Sequence, residues 1–158
     1  MSQNRKDQFI QQASEKMEAE SKLIFFKNAK DSFSISNYLL KTKSRESRSI
    51  LAKLRLGVLP IGIDKGRSKG IVRAERVCTL CDSNRVEDEI HFLFECPTLA
   101  THRSHHLNIL TRTSPILSTL NNNQKLNYLF VNEKTPQNTL CMAVDLLLKL
   151  MNVRDSLI

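Results

Sequence analysis

The stretch CTLCDSNRVEDEIHFLFECP, from Cys78 to Pro97, decides how this chain is read. Its soft side chains fall in the order C-x2-C-x9-H-x4-C, at Cys78, Cys81, His91 and Cys96. A two-residue gap lets both sulfurs of a tight turn meet one centre, and three thiolates with one imidazole form a standard tetrahedral ligand set for zinc. Residues five apart on an ideal α-helix of about 3.6 residues per turn point about 140° apart. His91 and Cys96 can therefore converge only where the helix distorts or ends, and Pro97 supplies a reason, because it disfavours helical geometry at the residue before it. Four protein ligands leave no position for an activated water, so the spacing predicts one structural Zn2+ and not a catalytic one.

Redox setting bears on that reading. The N-terminus MSQNRKDQF lacks the apolar run of a signal peptide, and the longest greasy stretch, Leu140 to Met151, is too short for a bilayer and carries Asp145 and Lys149. The sequence thus predicts an intracellular protein, nuclear or cytoplasmic, in which the four cysteines are not expected to form disulfides. Cys141 is a rival ligand but sits in an apolar helical stretch, where a free cysteine behaves as a small core residue. His102, His105 and His106 have no thiol or carboxylate neighbours to complete a second set and read as surface histidines. Glu87, Asp88 and Glu89 read as acids favoured by a helix dipole at its first turn, not as an acid/base cluster.

Outward from the cluster, the chain reads as helices. Ile10, Ala13, Met17 and Ile24 recur near helical spacing between Arg5 and Lys30, which predicts a long amphipathic helix. Ser34 to Lys41 and Ser44 to Leu56 follow as two more; Ile50, Leu51 and Leu54 make the apolar stripe of the second, and Gly57 stops it. Residues 58–77, with Pro60, Gly62, Gly66 and Gly70, predict a loop with one short strand. After the cysteine turn, Asn84 and Glu87 have capping-box spacing for a helix carrying His91. Helical segments are expected around Thr98 to Leu110, at Pro115 to Leu120, and, past the polar break Asn121 to Asn123, around Leu126, Leu129 and Phe130. Thr135 precedes Pro136 as a cap before a proline, and Leu140, Val144, Leu147 and Met151 share one face of a buried last helix. The expected fold class is mainly α: a small helical domain with an irregular zinc-knuckle segment of the CCHC type and at most a short strand or hairpin. Its segments are N-terminal amphipathic helices over 1–43, the basic helix, loop and zinc-binding region over 44–112, and C-terminal helices over 113–158, packed as one domain.

Charge is unevenly placed. Lys and Arg number 24 against 16 Asp and Glu, a net charge of +8. Eleven of those cations lie between Lys41 and Arg76, where the only acids are Glu46, Asp64 and Glu75, so one short belt carries the whole excess. Such a footprint attracts phosphate polymers. Arg45, Arg48 and Arg55 line one face of their helix, and Lys65, Arg67, Lys69 and Arg73 follow in the loop. The competing reading is a solvated face, with Arg48 or Arg55 snorkelling over the core or bonding loop carbonyls. No aromatic residue lies between Ser44 and Val77, so phosphate contacts are expected in place of base stacking.

Taken together, Arg48-x-x-Leu51-x-x-x-Arg55-x-Gly57, Gly66-Arg67, the C-x2-C pair, Glu87-x-x-x-His91-x-x-x-x-Cys96-Pro97 and Arg103 resemble the zinc-binding region downstream of the polymerase in LINE-type, non-LTR retrotransposon reverse transcriptases. The resemblance covers residues 48–103, about a third of the chain. It implies Cys78, Cys81, His91 and Cys96 as the ligands and a role in holding template RNA or target DNA. No polymerase-type Asp-Asp pair and no endonuclease carboxylate set occurs in the sequence. The expected function is a non-catalytic, zinc-stabilised nucleic-acid-binding module, RNA or DNA, and no enzyme. The alternative is a protein-interaction scaffold with a structural zinc, no nucleic-acid affinity and a partner on the N-terminal helix. A thiol redox enzyme is disfavoured because His91 and Cys96 complete a metal set around the cysteine pair.

Overall fold

Ser44 starts the first long helix among the described residues: its hydroxyl accepts the Ser47 backbone N–H at 2.9 Å. In this computed structural model, which describes residues 35–42 and 44–158 together with Gln8, Gln11 and Gln12, a five-residue helix α1 (Asn37–Lys41) precedes that helix, α2 (Arg45–Arg55). The amphipathic helix expected from Arg5 to Lys30 otherwise lies outside the described residues. Ile50, Leu51 and Leu54 form the buried stripe of α2, as their spacing predicts. Gly57 ends it at φ 63°, a left-handed conformation that costs a glycine little.

Beyond come α3 (Gly62–Ser68), a 3-10 turn at Arg73–Glu75, a π-helical turn at His91–Glu95, and α4 (Ala100–Thr113). Next are a 3-10 turn at Pro115–Ser118, α5 (Asn122–Leu126), which runs into a second π turn at Asn127–Val131, and α6 (Gln137–Leu157). The molecule is mainly helical, and among the described residues the only β pairing is an isolated antiparallel bridge between Val77 and Val86.

Helix α6 is the central post, packed against α1, α2, α4 and the second π turn. It buries Leu140, Val144, Leu147 and Met151, the predicted face, and also Ala143, Leu146 and Leu150, so more of its circumference is covered than one stripe. These residues share one core with Leu51 and Leu54 of α2, Phe92 and Leu93 of the first π turn, and Leu129 and Phe130 of the second. Each fully buried side chain of this size stabilises the fold by about 1.5–3 kcal/mol.

Three local expectations are corrected. Residues 58–77 are not a loop with a strand, since α3 occupies their middle. Its first two N–H groups, on Gly62 and Ile63, are taken up by the Glu87 carboxylate at 2.6 Å and the Glu87 carbonyl at 2.9 Å, so a distant residue caps a helix that its glycines disfavour locally. A Cβ at Gly62 would lie 2.7 Å from that carboxylate oxygen, which explains the glycine. Thr135 does not cap α6; its hydroxyl donates to the Tyr128 and Asn132 carbonyls, and Pro136 takes the cap position. The polar break at Asn121 is a helix start, with a full capping box between Asn121 and Gln124.

Arg55 is the largest correction. It does not face solvent beside Arg45 but is 2 % exposed. Its Nε donates to the Phe130 carbonyl at 2.8 Å, Nη2 to the Val131 carbonyl at 2.7 Å and Nη1 to Glu133 at 2.7 Å, and its plane lies 4.5 Å from the Tyr38 ring centroid. The carbonyls at the end of the second π turn need donors, and Arg55 supplies them. It therefore ties α2 to that turn and to α1.

Candidate metal centre and basic belt

Two short segments bring the four ligands together. A narrow ribbon forms the first: Glu87 N–H donates to the Arg76 carbonyl at 2.9 Å and Cys78 N–H to the Arg85 carbonyl at 2.8 Å, on either side of the Val77–Val86 bridge. Cys78 and Cys81 lie in the loop that this ribbon closes. Asn84 is in that loop at φ 52°, a left-handed position asparagine tolerates, so it caps no helix, and Glu87 is drawn into the ribbon. The helical entry is capped four residues later, where the Asp88 carboxylate accepts the His91 backbone N–H at 2.9 Å.

The second segment solves the angular problem of His91 and Cys96. Cys96 N–H donates to the His91 carbonyl at 2.7 Å, an i to i+5 bond, so residues five apart stack as residues four apart do on an α-helix. At Cys96 ψ swings to 119° and helical geometry stops before Pro97. Both devices expected from the sequence, distortion and termination, are present.

The ligand atoms of Cys78, Cys81, His91 and Cys96 all lie within 4.8 Å of one another. Cys78 Sγ is 4.0 Å from Cys96 Sγ, and Cys81 Sγ is 3.4 Å from His91 Nε2. Among the described residues, all four cysteines are free thiols, and this cluster can hold one metal ion. Burial, together with the neighbouring Cys96 thiol, pushes Cys78 up to about 12. Burial also acts upward on Cys81, but hydrogen bonds from Ser83 and from the Cys78 and Cys96 thiols bring it below its ordinary value. His91 is lowered by burial and then by Arg85, which keeps the imidazole neutral, the form that ligates a metal.

The rival ligands stand apart. Cys141 is half-buried on α6, where it lines a cavity of about 210 Å3 with Lys41, Ser44 and Asp145 and points its thiol at the Lys41 carbonyl, 3.8 Å away. Cys141→Ala is expected to leave bound metal per chain unchanged; loss of metal on elemental analysis would move the fourth ligand there. His102 and His105 are exposed, and His105 stacks edge-on against His106 at 5.7 Å.

The acids do more than favour a dipole. Glu87 is 1 % exposed and receives three bonds: from Gly62 N–H, from Arg154 Nε at 2.7 Å and from Arg154 Nη2 at 2.8 Å. This bidentate pair fastens the ribbon to the last turns of α6. Glu89 is also buried, which pushes its carboxyl up. Sequence spacing gave no signal for the partnership of Glu87 with Arg154, whereas Asp88, three residues before His91, has N-cap spacing that marks it.

The seven predicted nucleic-acid contacts divide. Arg55 is internal. Arg48 is half-buried and donates to the Thr42 carbonyl at 3.0 Å; Arg67 is half-buried and donates to the Gly57 carbonyl at 3.0 Å and to Asp64 at 3.1 Å. Arg45, Lys65, Lys69 and Arg73 are exposed, Arg73 with only a 3.5 Å contact to Asp88. The arginine face of α2 is therefore not a continuous phosphate surface, while Lys65, Lys69 and Arg73 leave α3 and the following loop as one open basic stretch beside the ribbon. No family model matches the chain, and no curated protein or solved structure matches it.

Proposed function

We propose that the cluster holds one structural zinc ion and that the domain is a non-catalytic nucleic-acid-binding module using the stretch from Lys65 to Arg73. Zinc bonds of about 2.3 Å to sulfur and 2.0–2.1 Å to nitrogen set tetrahedral S···S and S···N separations of about 3.8 and 3.5 Å. The 4.0 Å between Cys78 and Cys96 and the 3.4 Å between Cys81 and His91 agree to within a few tenths of an ångström. With four protein ligands the sphere is closed, and the ion's work is to lock the ribbon onto the π turn. Nothing here requires an enzyme.

The observation that carries the nucleic-acid reading is the exposure of Lys65, Lys69 and Arg73 after the inward-bonded arginines are removed from the belt. They flank a loop whose base is fixed by Arg76, which donates to the Ile63 and Ile71 carbonyls. A base held by Arg76 and exposed cationic side chains suit phosphate contacts that position a strand without reading its bases. The likeness of residues 48–103 to the retroelement region supports the same role, a hold on template or target strands. Arg45 is exposed at the start of α2.

The test is a salt titration of binding to generic single- and double-stranded RNA and DNA. Affinity should fall steeply with salt, and Lys65→Gln, Lys69→Gln and Arg73→Gln together should reduce the log–log slope on duplex DNA by about 2–3, close to 0.9 for each phosphate contact removed. A slope that does not change refutes this surface. A scaffold reading draws on Ile71 and Val72, 36 % and 65 % exposed in the same loop. It is favoured by a protein partner held independently of salt and by no affinity for any nucleic acid.

A further inference from the structure

Arg103, on the first turn of α4, is a buried cation with no ion pair within 4 Å among the described residues; the groups whose charge acts on it are the Cys96 thiol and, after it, the Glu95 carboxylate. It is 7 % exposed. Its Nη2 donates to the Cys96 carbonyl at 3.0 Å, and its Nη1 is buried with no hydrogen-bond partner among the described residues. The other two arginines around the centre are matched: Arg154 by Glu87, and Arg85 by Glu95 at 2.8 Å. A buried guanidinium left unmatched is destabilising.

An equal and opposite imbalance lies across Cys96. A divalent ion with three thiolates and a neutral imidazole carries one net negative charge. Cys78, His91 and Cys96 are all buried, so water screens that charge poorly. Each unmatched charge thus has the other as its neighbour, joined through a single residue.

We propose that Arg103 is the counter-ion of the metal–thiolate centre, a positioning residue that binds no metal but makes the buried cluster electrically neutral. This rests on the zinc reading above. The guanidinium lowers the energy of the thiolates, most of all Cys96, and so raises affinity for a divalent ion in a three-cysteine, one-histidine set. Its charge is matched to that set: a two-cysteine, two-histidine set is already neutral and has no use for it.

The experiment measures zinc affinity by chelator competition, and the thiolate-to-metal charge-transfer band after cobalt substitution, in the full chain. Arg103→Gln retains a donor for the Cys96 carbonyl but removes the charge; Arg103→Lys retains the charge. Arg103→Gln is expected to weaken zinc binding about 10–100-fold, the usual range for a group that supports a ligand, and to move the cobalt band to lower energy. Arg103→Lys should recover much of both. In a Cys81→His background, where the centre is neutral, Arg103→Gln should cost far less affinity. Equal losses in the two backgrounds, with the band unmoved, would overturn the proposal and leave Arg103 as an anchor for the Cys96 carbonyl. If Arg103→Gln does not fold, Arg103→Met, which removes the charge at similar size, is read in its place: a cobalt band moved to lower energy supports the counter-ion, and an unmoved band overturns it. A wild-type chain that takes up no zinc at all refutes the centre itself, before any variant is compared.

Discussion

Removing the metal with a chelator, or replacing Cys96 with Ser, is expected to cost about 5 kcal/mol or more and to lower Tm on the order of 10–20 °C. Apparent binding energies of structural zinc sites reach about 10–16 kcal/mol, comparable with the whole stability of an ordinary domain. The ribbon from Arg76 to Glu87 has one bridge and a few backbone bonds to hold it, so a bound ion is expected to do what strand pairing does elsewhere. Its loss should also release α3, whose first N–H groups rest on Glu87. Acid should act in the same direction. His91 has its pKa lowered by folding, so the unfolded chain binds the proton first, and stability falls as pH drops below the ordinary histidine value of about 6.5. Circular dichroism melts with and without chelator, at pH 7.5 and pH 5.5, check both. Superimposable melts would reject the centre.

The second large effect is expected at Glu87. Glu87→Leu leaves the Arg154 guanidinium, 2 % exposed, without its partner, and a broken buried pair costs about 3–5 kcal/mol. Arg154→Met leaves the carboxylate alone and should cost a similar amount. Glu87→Leu with Arg154→Met should recover much of the loss, because two well-packed apolar side chains are often as good as a buried ion pair. Urea unfolding of the three variants measures this coupling, and additive losses would show that the pair acts only through its separate neighbours. The pair spans 67 residues of sequence and joins the ribbon that carries Cys78 and Cys81 to the central post, so metal removal and α6 mutations are expected to weaken the same unit.

What the sequence disclosed follows from how local each device is. The ligands were legible because Cys78 and Cys81 share one loop and His91 and Cys96 share one turn, so spacing alone stated the geometric problem that the π turn resolves. Helices α2 and α6 were legible from apolar period, and the end of α2 from Gly57; α4 was expected as a helical segment around Thr98 to Leu110 without a stripe to mark it. Helix α3 was not, because its cap is a carboxylate 25 residues downstream. The direction of Arg55 was legible only as the competing reading, an arginine bonding loop carbonyls, because the carbonyls that attract it belong to a turn 75 residues later. A face drawn from helical period places a side chain but says nothing of unsatisfied acceptors elsewhere, and that omission put Arg55 among the expected contacts beside Lys65, Arg67, Lys69 and Arg73.

The π turn at His91–Glu95 also makes ligand spacing and helix register a single variable. An α-helical turn would align ligands four apart; one inserted residue, absorbed as a π turn, aligns ligands five apart in nearly the same place. C-x2-C-x9-H-x3-C and C-x2-C-x9-H-x4-C are then two spellings of one cage. A pattern that fixes the last gap separates chains that geometry unites, and insertions or deletions at this point should be read together with the hydrogen bond from Cys96 to His91 before they are taken as the loss of a ligand.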